Sequence, residues 1–242
     1  MNLVIDVGNT QVKLAIYSKG RLIKKVTDAQ KNISARASEL ILSYPSISAG
    51  IISSVGKVNK QQLQRLKKIV PLHILSSRTV LPFKNKYKTP LTLGVDRIAL
   101  VSASAEKYPD SNVLIIDAGT CVTYDFVNSK NEYLGGAISP GIRTRYKSLN
   151  NLTANLPLLE TKPPRSIIGN TTASSIHSGV IFGILKELDG VIEEYKNDHQ
   201  DLTVILTGGD AKFLSKRLKS SIFANSNFLL EGLNYILEFN IK

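Results

Sequence analysis

Two segments of the chain place an aspartate, a glycine and a threonine directly after an apolar run. They are residues 4–10, with the sequence VIDVGNT, and residues 115–120, with the sequence IIDAGT. Each is followed by an alternating apolar and polar stretch that is typical of a strand. A buried strand that delivers Asp6 or Asp117 to a glycine turn, with threonine hydroxyl and backbone N–H groups nearby, suits phosphate and metal binding. Two copies in matching context predict a duplicated fold with a nucleotide between its halves.

The first segment offers the groups that phosphoryl transfer needs. Asp6 can hold magnesium, directly or through water. Gly8, Asn9 and Thr10 can bring backbone N–H groups against phosphate oxygens, and Lys13 can supply a positive charge to the transferring group. Asp6 and Asn9 are also common turn formers, so a purely structural role for a single copy stays open.

Several other catalytic classes lack their characteristic residues. The three histidines lie far apart in the sequence, which argues against a zinc hydrolase, and Cys121 is the only cysteine, so the chain has no intrachain disulfide. Neither a Gly-x-Ser-x-Gly nor a Gly-x-Gly-x-x-Gly pattern occurs. Residues 50–57 differ from a P-loop, because five residues separate their glycines and Val58 stands where a hydroxyl must bind magnesium. We interpret this segment as a strand-to-helix turn.

Composition and charge describe a globular protein with a strongly basic stretch. The 242 residues carry a formal net charge of +12, and 43% of them are hydrophobic. Between Leu40 and Val95 there are nine basic residues and no acidic one. Such a stretch can attract polyanions or steer ATP, although a solvated helix face gives the same pattern. No apolar run reaches the length of a membrane helix, and Leu3 begins an apolar strand too early for a signal peptide, so we expect a cytoplasmic protein with no membrane partner.

The periodicity predicts two halves with a similar order of elements, residues 1–110 and 111–242. In the first half the predicted strands are 3–7, 12–17, 22–27, 47–53 and 72–75, and the predicted helices are 33–43, 59–69 and 94–108. In the second half the predicted strands are 113–116, 121–127, 133–139 and 202–206, and the predicted helices are 142–156, 171–195 and one from Ala211. Residues 76–92 read as a loop of the kind that often binds ligands. The apolar stripe of helix 142–156 fits either a core-facing helix or a dimer contact.

Further motifs follow in order along the chain. They are Tyr87, Gly94-Val95-Asp96-Arg97, Asp117-Ala118-Gly119-Thr120, and the segments 135–141, 153–157, 169–172 and 207–209. Together with residues 6–13, this series resembles the type III pantothenate kinases of the acetate and sugar kinase/Hsp70/actin superfamily, over nearly the whole chain. The resemblance implies an α/β protein with a duplicated actin-like ATPase (ribonuclease H-like) fold, in which each of two lobes has a mixed sheet flanked by helices. It also implies ATP-dependent phosphorylation of pantothenate to 4′-phosphopantothenate, the first step of coenzyme A biosynthesis.

The resemblance also implies roles for individual residues. Asp96 would be the general base that accepts the proton of the pantothenate hydroxyl, Asp117 would hold a monovalent cation (K⁺ or NH₄⁺), and Asp6 matches the position associated with Mg²⁺. The implied ATP contacts are Asp6, Val7, Gly8, Asn9, Thr10, Gln11, Val12, Lys13 and Thr120. The implied pantothenate contacts are Tyr87, Gly94, Val95, Asp96, Arg97 and Thr172. Without the resemblance, Asp96 reads as an acid at a helix N-terminus paired with Arg97. Thr171 precedes Thr172, so which hydroxyl faces the substrate stays open.

The family resemblance further implies a homodimer, and two other functions compete with the kinase. One is a different small-molecule kinase of the same superfamily, which a substrate panel would reveal. The other is a non-enzymatic accessory regulator of transcription, favoured only by the basic stretch. The intact Asp6, Lys13, Asp96 and Asp117 would be unusual in a pure binding module. A nucleic-acid partner is therefore not expected.

Overall fold

The computed structural model describes residues 1–8, 11–54 and 58–241, in two compact units. The first unit consists of residues 1–109 and 131–133 together with the C-terminal residues from Asn227 onward. The second unit consists of residues 110–130 and 134–226. The C-terminal segment therefore groups with the first unit, a difference from the expected division at residues 110 and 111.

The elements of both units are numbered along the chain. The strands are β1 Asn2–Val7, β2 Val12–Ser18, β3 Arg21–Asp28, β4 Ala49–Ser54, β5 Leu72–Ile74, β6 Lys84–Asn85, β7 Asn112–Ala118, β8 Cys121–Val127, β9 Glu132–Pro140, β10 Leu202–Thr207 and β11 Phe223–Ala224. The α-helices are α1 Ile33–Ser43, α2 Lys60–Ile69, α3 Val95–Lys107, α4 Ile142–Asn151, α5 Thr172–Asp198, α6 Ala211–Ser215 and α7 Phe228–Asn240. Among the described residues, no helix combines the length and the apolar character needed to span a bilayer.

The sheet of the first unit has the strand order β3-β2-β1-β4-β5. Strand β1 pairs antiparallel with β2 and parallel with β4. Alternate residues of these strands, such as Ile5, Leu14 and Ile52, pack with α1 and α2 in one apolar cluster. Because side chains alternate between the two faces of a strand, Asp6 lies on the face opposite that cluster.

The sheet of the second unit repeats this arrangement, with the order β11-β10-β7-β8-β9. Strand β7 pairs antiparallel with β8 and parallel with β10, as β1 does with β2 and β4. Leu114, Ile116 and Leu206 join a cluster with α4, α5 and α6, so Asp117 also lies on the face away from the main apolar cluster. The predicted duplication of a mixed sheet flanked by helices is confirmed.

The short strands β6 and β11 were not predicted, and the two larger differences from the predicted elements concern helices. The helix expected over residues 142–156 ends at Asn151. Beyond it the Thr153 hydroxyl donates to the carbonyl of Leu149, and the Asn150 amide donates to the carbonyl of Leu156, so side chains replace helical hydrogen bonds. The second difference is α7, which was not predicted and which packs against α3 and the sheet of the first unit.

Candidate active site

The hairpin of β1 and β2 holds a carboxylate opposite an ammonium group. Asp6 and Lys13 are in register, and Lys13 Nζ lies 3.9 Å from Asp6 Oδ2. The side chain of Asp6 is only 8% exposed. Burial raises the pKa of Asp6 to about 6, Lys13 opposes this rise, and the nearby charge of Asp96 adds to it. A buried carboxylate of this kind binds a cation readily, because the cation supplies the charge that water no longer does.

The turn after β1 is closed by backbone hydrogen bonds. The Gly8 N–H donates to the carbonyl of Gln11 over 3.0 Å, and the side-chain amide of Gln30 donates to the carbonyl of Gly8. Val7 and Val12, on either side of this turn, are buried in register. The predicted phosphate contacts of Asn9 and Thr10 fall outside the described residues.

The first turn of α3 carries the predicted base. Asp96 is partly exposed, and its Oδ1 accepts a 2.9 Å hydrogen bond from the backbone N–H of Arg97. A carboxylate is favoured there by the helix dipole. A Cβ atom on Gly94, the residue that caps this helix, would collide with Asp96 Oδ1. Gly94 and Val95, predicted as substrate contacts, thus lie beside the predicted base, and the glycine leaves the space that the carboxylate occupies.

Arg97 points its guanidinium at two tyrosine rings of the same unit. Its Cζ lies 5.5 Å from the ring centre of Tyr87 and 5.9 Å from that of Tyr133. The two rings stack at 5.9 Å, and Tyr133 meets Phe83 edge-on. Arg97 is only 5% exposed, whereas Tyr87 is half-buried. The structure thus brings the predicted Tyr87 and Arg97 together, and it adds Tyr133, a residue that sequence reasoning placed only at the start of a strand.

In the second unit, the loop after β10 packs against the end of β7, where Asp117 lies. Asp117 and Thr207 are in register at the ends of β7 and β10. Gly208 has φ +94°, and a Cβ there would collide with the carbonyl of Ala118 and the carboxylate of Asp117. Asp210, whose pKa is raised by burial, donates its backbone N–H to the carbonyl of Ala118 over 3.0 Å. The glycine thus brings the 207–210 loop directly against the predicted cation ligand.

Thr120 is fixed through its backbone carbonyl. This carbonyl accepts the Thr144 hydroxyl over 2.6 Å and the Gly141 N–H over 3.0 Å, both from the start of α4. Its neighbour Cys121 is exposed. Thr120 is itself exposed, and its contact with ATP stays a prediction.

The predicted Thr172 opens α5 at the rim of a cleft of about 1000 Å³ between α4 and α5, within the second unit. Thr171 caps the helix: its Oγ1 accepts the backbone N–H of Ser174 over 3.1 Å. Its hydroxyl is thereby engaged, whereas the Thr172 hydroxyl forms no hydrogen bond within the described parts of the chain. This contrast favours Thr172 over Thr171 as the substrate contact.

Asp6 and Asp117 are the candidate cation ligands. Within residues 1–8, 11–54 and 58–241, no group of three or more His, Cys, Asp or Glu could hold a metal ion. Single carboxylates suit Mg²⁺ in kinases, because there the ion completes its coordination with phosphate oxygens and water. The buried carboxylate of Asp6 therefore fits Mg²⁺, and a monovalent cation at Asp117 stays a prediction.

Two mixed sheets, each presenting an aspartate at the end of its first strand, define a phosphotransferase of the actin-like ATPase class. The model of the family described as type III pantothenate kinase matches residues 2–194, and the chain belongs to this family. A relative from Christiangramia forsetii named type III pantothenate kinase is 53% identical over 99% of both chains.

Solved structures support the same fold. A Campylobacter jejuni protein described as a conserved Baf family transcriptional activator aligns with a TM-score of 0.64 and 22% identity, over 99% of this chain and 98% of that one. A ROK family glucokinase from Streptomyces griseus, in complex with glucose and AMPPNP, aligns with a TM-score of 0.54 and 10% identity over 99% of each chain. At such identities the likeness is one of fold.

Proposed function

We propose that this chain transfers the γ-phosphoryl group of ATP to the primary hydroxyl of pantothenate, forming 4′-phosphopantothenate. The observation that carries the proposal is the first turn of α3, where the partly exposed Asp96 carboxylate accepts the backbone N–H of Arg97, a residue whose own side chain is buried against Tyr87 and Tyr133. The charge of Asp96 reaches Asp6, whose pKa it raises. A base for the attacking hydroxyl (Asp96), a cation for the substrate carboxylate (Arg97) and a carboxylate for the phosphate end (Asp6) thus belong to one unit.

Asp96 acts as the general base. It accepts a hydrogen bond from the pantothenate hydroxyl, orients this oxygen towards the γ-phosphorus and takes its proton late, because the transition state of phosphoryl transfer is loose. The bond from the hydroxyl oxygen to the γ-phosphorus forms as the bond to the β,γ-bridging oxygen breaks, and ADP leaves. The Arg97 N–H bond to Oδ1 keeps the carboxylate at the helix N-terminus.

Arg97 and Tyr87 bind pantothenate at its other end. A guanidinium donates two parallel N–H bonds to a carboxylate, and its stacking on Tyr87 and Tyr133 fixes the plane of that fork. Thr172, with its hydroxyl available, is a further contact. When the carboxylate end of pantothenate is held in this way, its hydroxyl at the other end is positioned near Asp96.

The proposed contacts for the phosphate end of ATP are Asp6, Lys13, the residues between them in sequence, and Thr120. Lys13 supplies a positive charge, and at 3.9 Å from Asp6 Oδ2 its ammonium group is beyond hydrogen-bond distance of that carboxylate and can donate to a phosphate oxygen instead. Bound Mg²⁺ neutralises charge on the transferring phosphoryl group. Asp117 is the proposed ligand of K⁺ or NH₄⁺.

We also propose a homodimer that works in the cytoplasm. The support for the dimer is that large apolar side chains of the second unit are exposed: Ile167 and Ile168, before α5, are 63% and 79% exposed, and Leu152, after α4, is 82% exposed. Contiguous exposed apolar surface is typical of protein contacts, and the adjacent pair Ile167 and Ile168 is the candidate for it. Light scattering of the purified protein tests the dimer.

The function is tested with purified protein, ATP, Mg²⁺, K⁺ and a panel of hydroxyl acceptors that includes pantothenate and glucose. Among the acceptors of this panel, we expect only pantothenate to be phosphorylated, and mass spectrometry identifies the product as 4′-phosphopantothenate. If another acceptor were preferred, the protein would be a kinase of the same fold with a different substrate. Omission of K⁺ should lower the rate if Asp117 holds a monovalent cation.

A further inference from the structure

One buried hydroxyl beside Asp6 has no hydrogen-bond partner. Ser53, near the end of β4, is fully buried, and its Oγ forms no hydrogen bond to any described part of the chain. Nearly all buried polar groups in proteins are paired, so an unpaired one points to a partner that arrives later or to a functional role.

Ser53 lies directly next to Asp6. The two residues are in register in the parallel pair of β1 and β4, and their neighbours Ile5 and Ile52 both belong to the apolar cluster on the other face. Ser53 and Asp6 therefore share a face, on strands about 4.8 Å apart. On the other side of Asp6 lies Lys13, so the face carries the row Lys13, Asp6, Ser53.

The Asp6 carboxylate lacks a hydrogen-bond donor among the described residues. Lys13, at 3.9 Å, is beyond hydrogen-bond distance. An acceptor without a donor thus lies beside a donor without an acceptor. In the second unit, the buried Thr207 is likewise in register with Asp117, on the parallel strand β10.

We propose that Ser53 is a positioning residue of the phosphate site, whose hydroxyl donates a hydrogen bond to the Asp6 carboxylate when nucleotide is bound. A side-chain rotation joins the two groups and fixes the orientation in which Asp6 serves the phosphate end of ATP. The proposal rests on the proposed function in one respect, namely that Asp6 is part of a nucleotide site.

The variant Ser53→Ala separates this role from a structural one, and Ser104→Ala is its matched control. Ser104 on α3 is also buried with an unpaired hydroxyl, but it lies eight residues beyond Asp96, about 12 Å along the helix. Removing an unpaired buried hydroxyl does not weaken the fold. Both variants are therefore expected to unfold at the wild-type temperature or above it.

Binding and kinetics should distinguish the two variants. For Ser53→Ala we expect affinity for Mg-ATP, measured by calorimetry, to fall about tenfold, the effect of losing one hydrogen bond to a charged group. The KM for ATP should rise with it, and the KM for pantothenate should stay within about twofold. Ser104→Ala should match wild type in every respect. If Ser53→Ala fails to fold, Ser53→Cys, which keeps the volume but is a weak donor, should show the same loss.

Mg-ATP affinity within twofold of wild type in a folded Ser53 variant would overturn the proposal. An equal loss in Ser104→Ala would overturn it as well, because the effect would then be general to buried hydroxyls. A wild-type protein that binds Mg-ATP without phosphorylating pantothenate would instead contradict the proposed function and leave the Ser53 comparison valid.

Discussion

Replacing Asp6 by asparagine should stabilise the fold while abolishing its nucleotide chemistry. Burial raises the pKa of Asp6 from 3.8 to about 6, so the folded protein holds this proton more tightly than the unfolded chain does. Stability therefore decreases as the pH rises from about 4 to about 6, and the cost of the ionised carboxylate persists at higher pH. With about 1.36 kcal/mol for each pKa unit, this cost is about 3 kcal/mol at pH 7. An asparagine side chain is never ionised, so the variant does not carry this cost.

The measurement is urea unfolding of wild type and Asp6→Asn between pH 5 and pH 8, without nucleotide and with EDTA. The variant should gain about 1.5 kcal/mol at pH 5 and about 3 kcal/mol at pH 7 and above. Asp28→Asn is a control of opposite sign: hydrogen bonds from Asn32, Ala29 and Arg36 lower the pKa of Asp28. Loss of the Asp28 carboxylate should destabilise the protein by a nearly constant amount from pH 5 to pH 8, because its pKa lies below 3.8 in the folded state, and the deficit should shrink only at lower pH. A gain for Asp6→Asn that is absent, or equal at all pH values, would refute the reasoning.

Three further changes test the substrate side and the cation site. Arg97→Lys should raise the KM for pantothenate by about 10 to 100-fold with the KM for ATP unchanged, because lysine lacks the planar fork that stacks on Tyr87 and Tyr133; an unchanged pantothenate KM would contradict this. Gly94→Ala should keep its unfolding temperature but lose at least about tenfold in kcat, because the new Cβ displaces the flexible Asp96 carboxylate; kinetics and melting of one preparation check both. Asp117→Asn should remove the dependence of the rate on K⁺, and a variant that still responds to K⁺ would exclude Asp117 as its ligand.

Sequence periodicity predicted the local elements well where hydrophobic spacing and turn residues agree. The bounds of α1 and β8 match the prediction, since Tyr44-Pro45 ends the helix and the hairpin turn at Asn128 ends the strand. Helix α4 was predicted too long, because the leucine spacing continues past Asn151 while side chains take over the backbone hydrogen bonds. The spacing of apolar residues shows which side chains can face a core, but it does not show where side-chain hydrogen bonds replace those of the helix backbone.

In the candidate site, too, the residues of local motifs were predicted and the residues that depend on distant partners were not. Asp6, Asp96 and Asp117 were named from their motifs, and the structure places each at the end of a strand or the start of a helix. Tyr133 and Ser53 were missed, because their importance comes from partners distant in sequence: Arg97 for Tyr133 and Asp6 for Ser53. Helix α7 was not predicted, and its packing against α3 in the first unit is a contact between residues that lie far apart in sequence.

The central claim is that Asp96 takes the proton of pantothenate in a phosphoryl transfer from ATP. The most direct test is the rate of 4′-phosphopantothenate formation by wild type, Asp96→Asn and the control Asp110→Asn, with ATP affinity measured in parallel. Asp110 is exposed, and its φ of 56° is one that asparagine tolerates. Asp96→Asn should lose at least about 100-fold in kcat with ATP affinity kept, and Asp110→Asn should match wild type. An Asp96→Asn rate within about threefold of wild type would contradict the account.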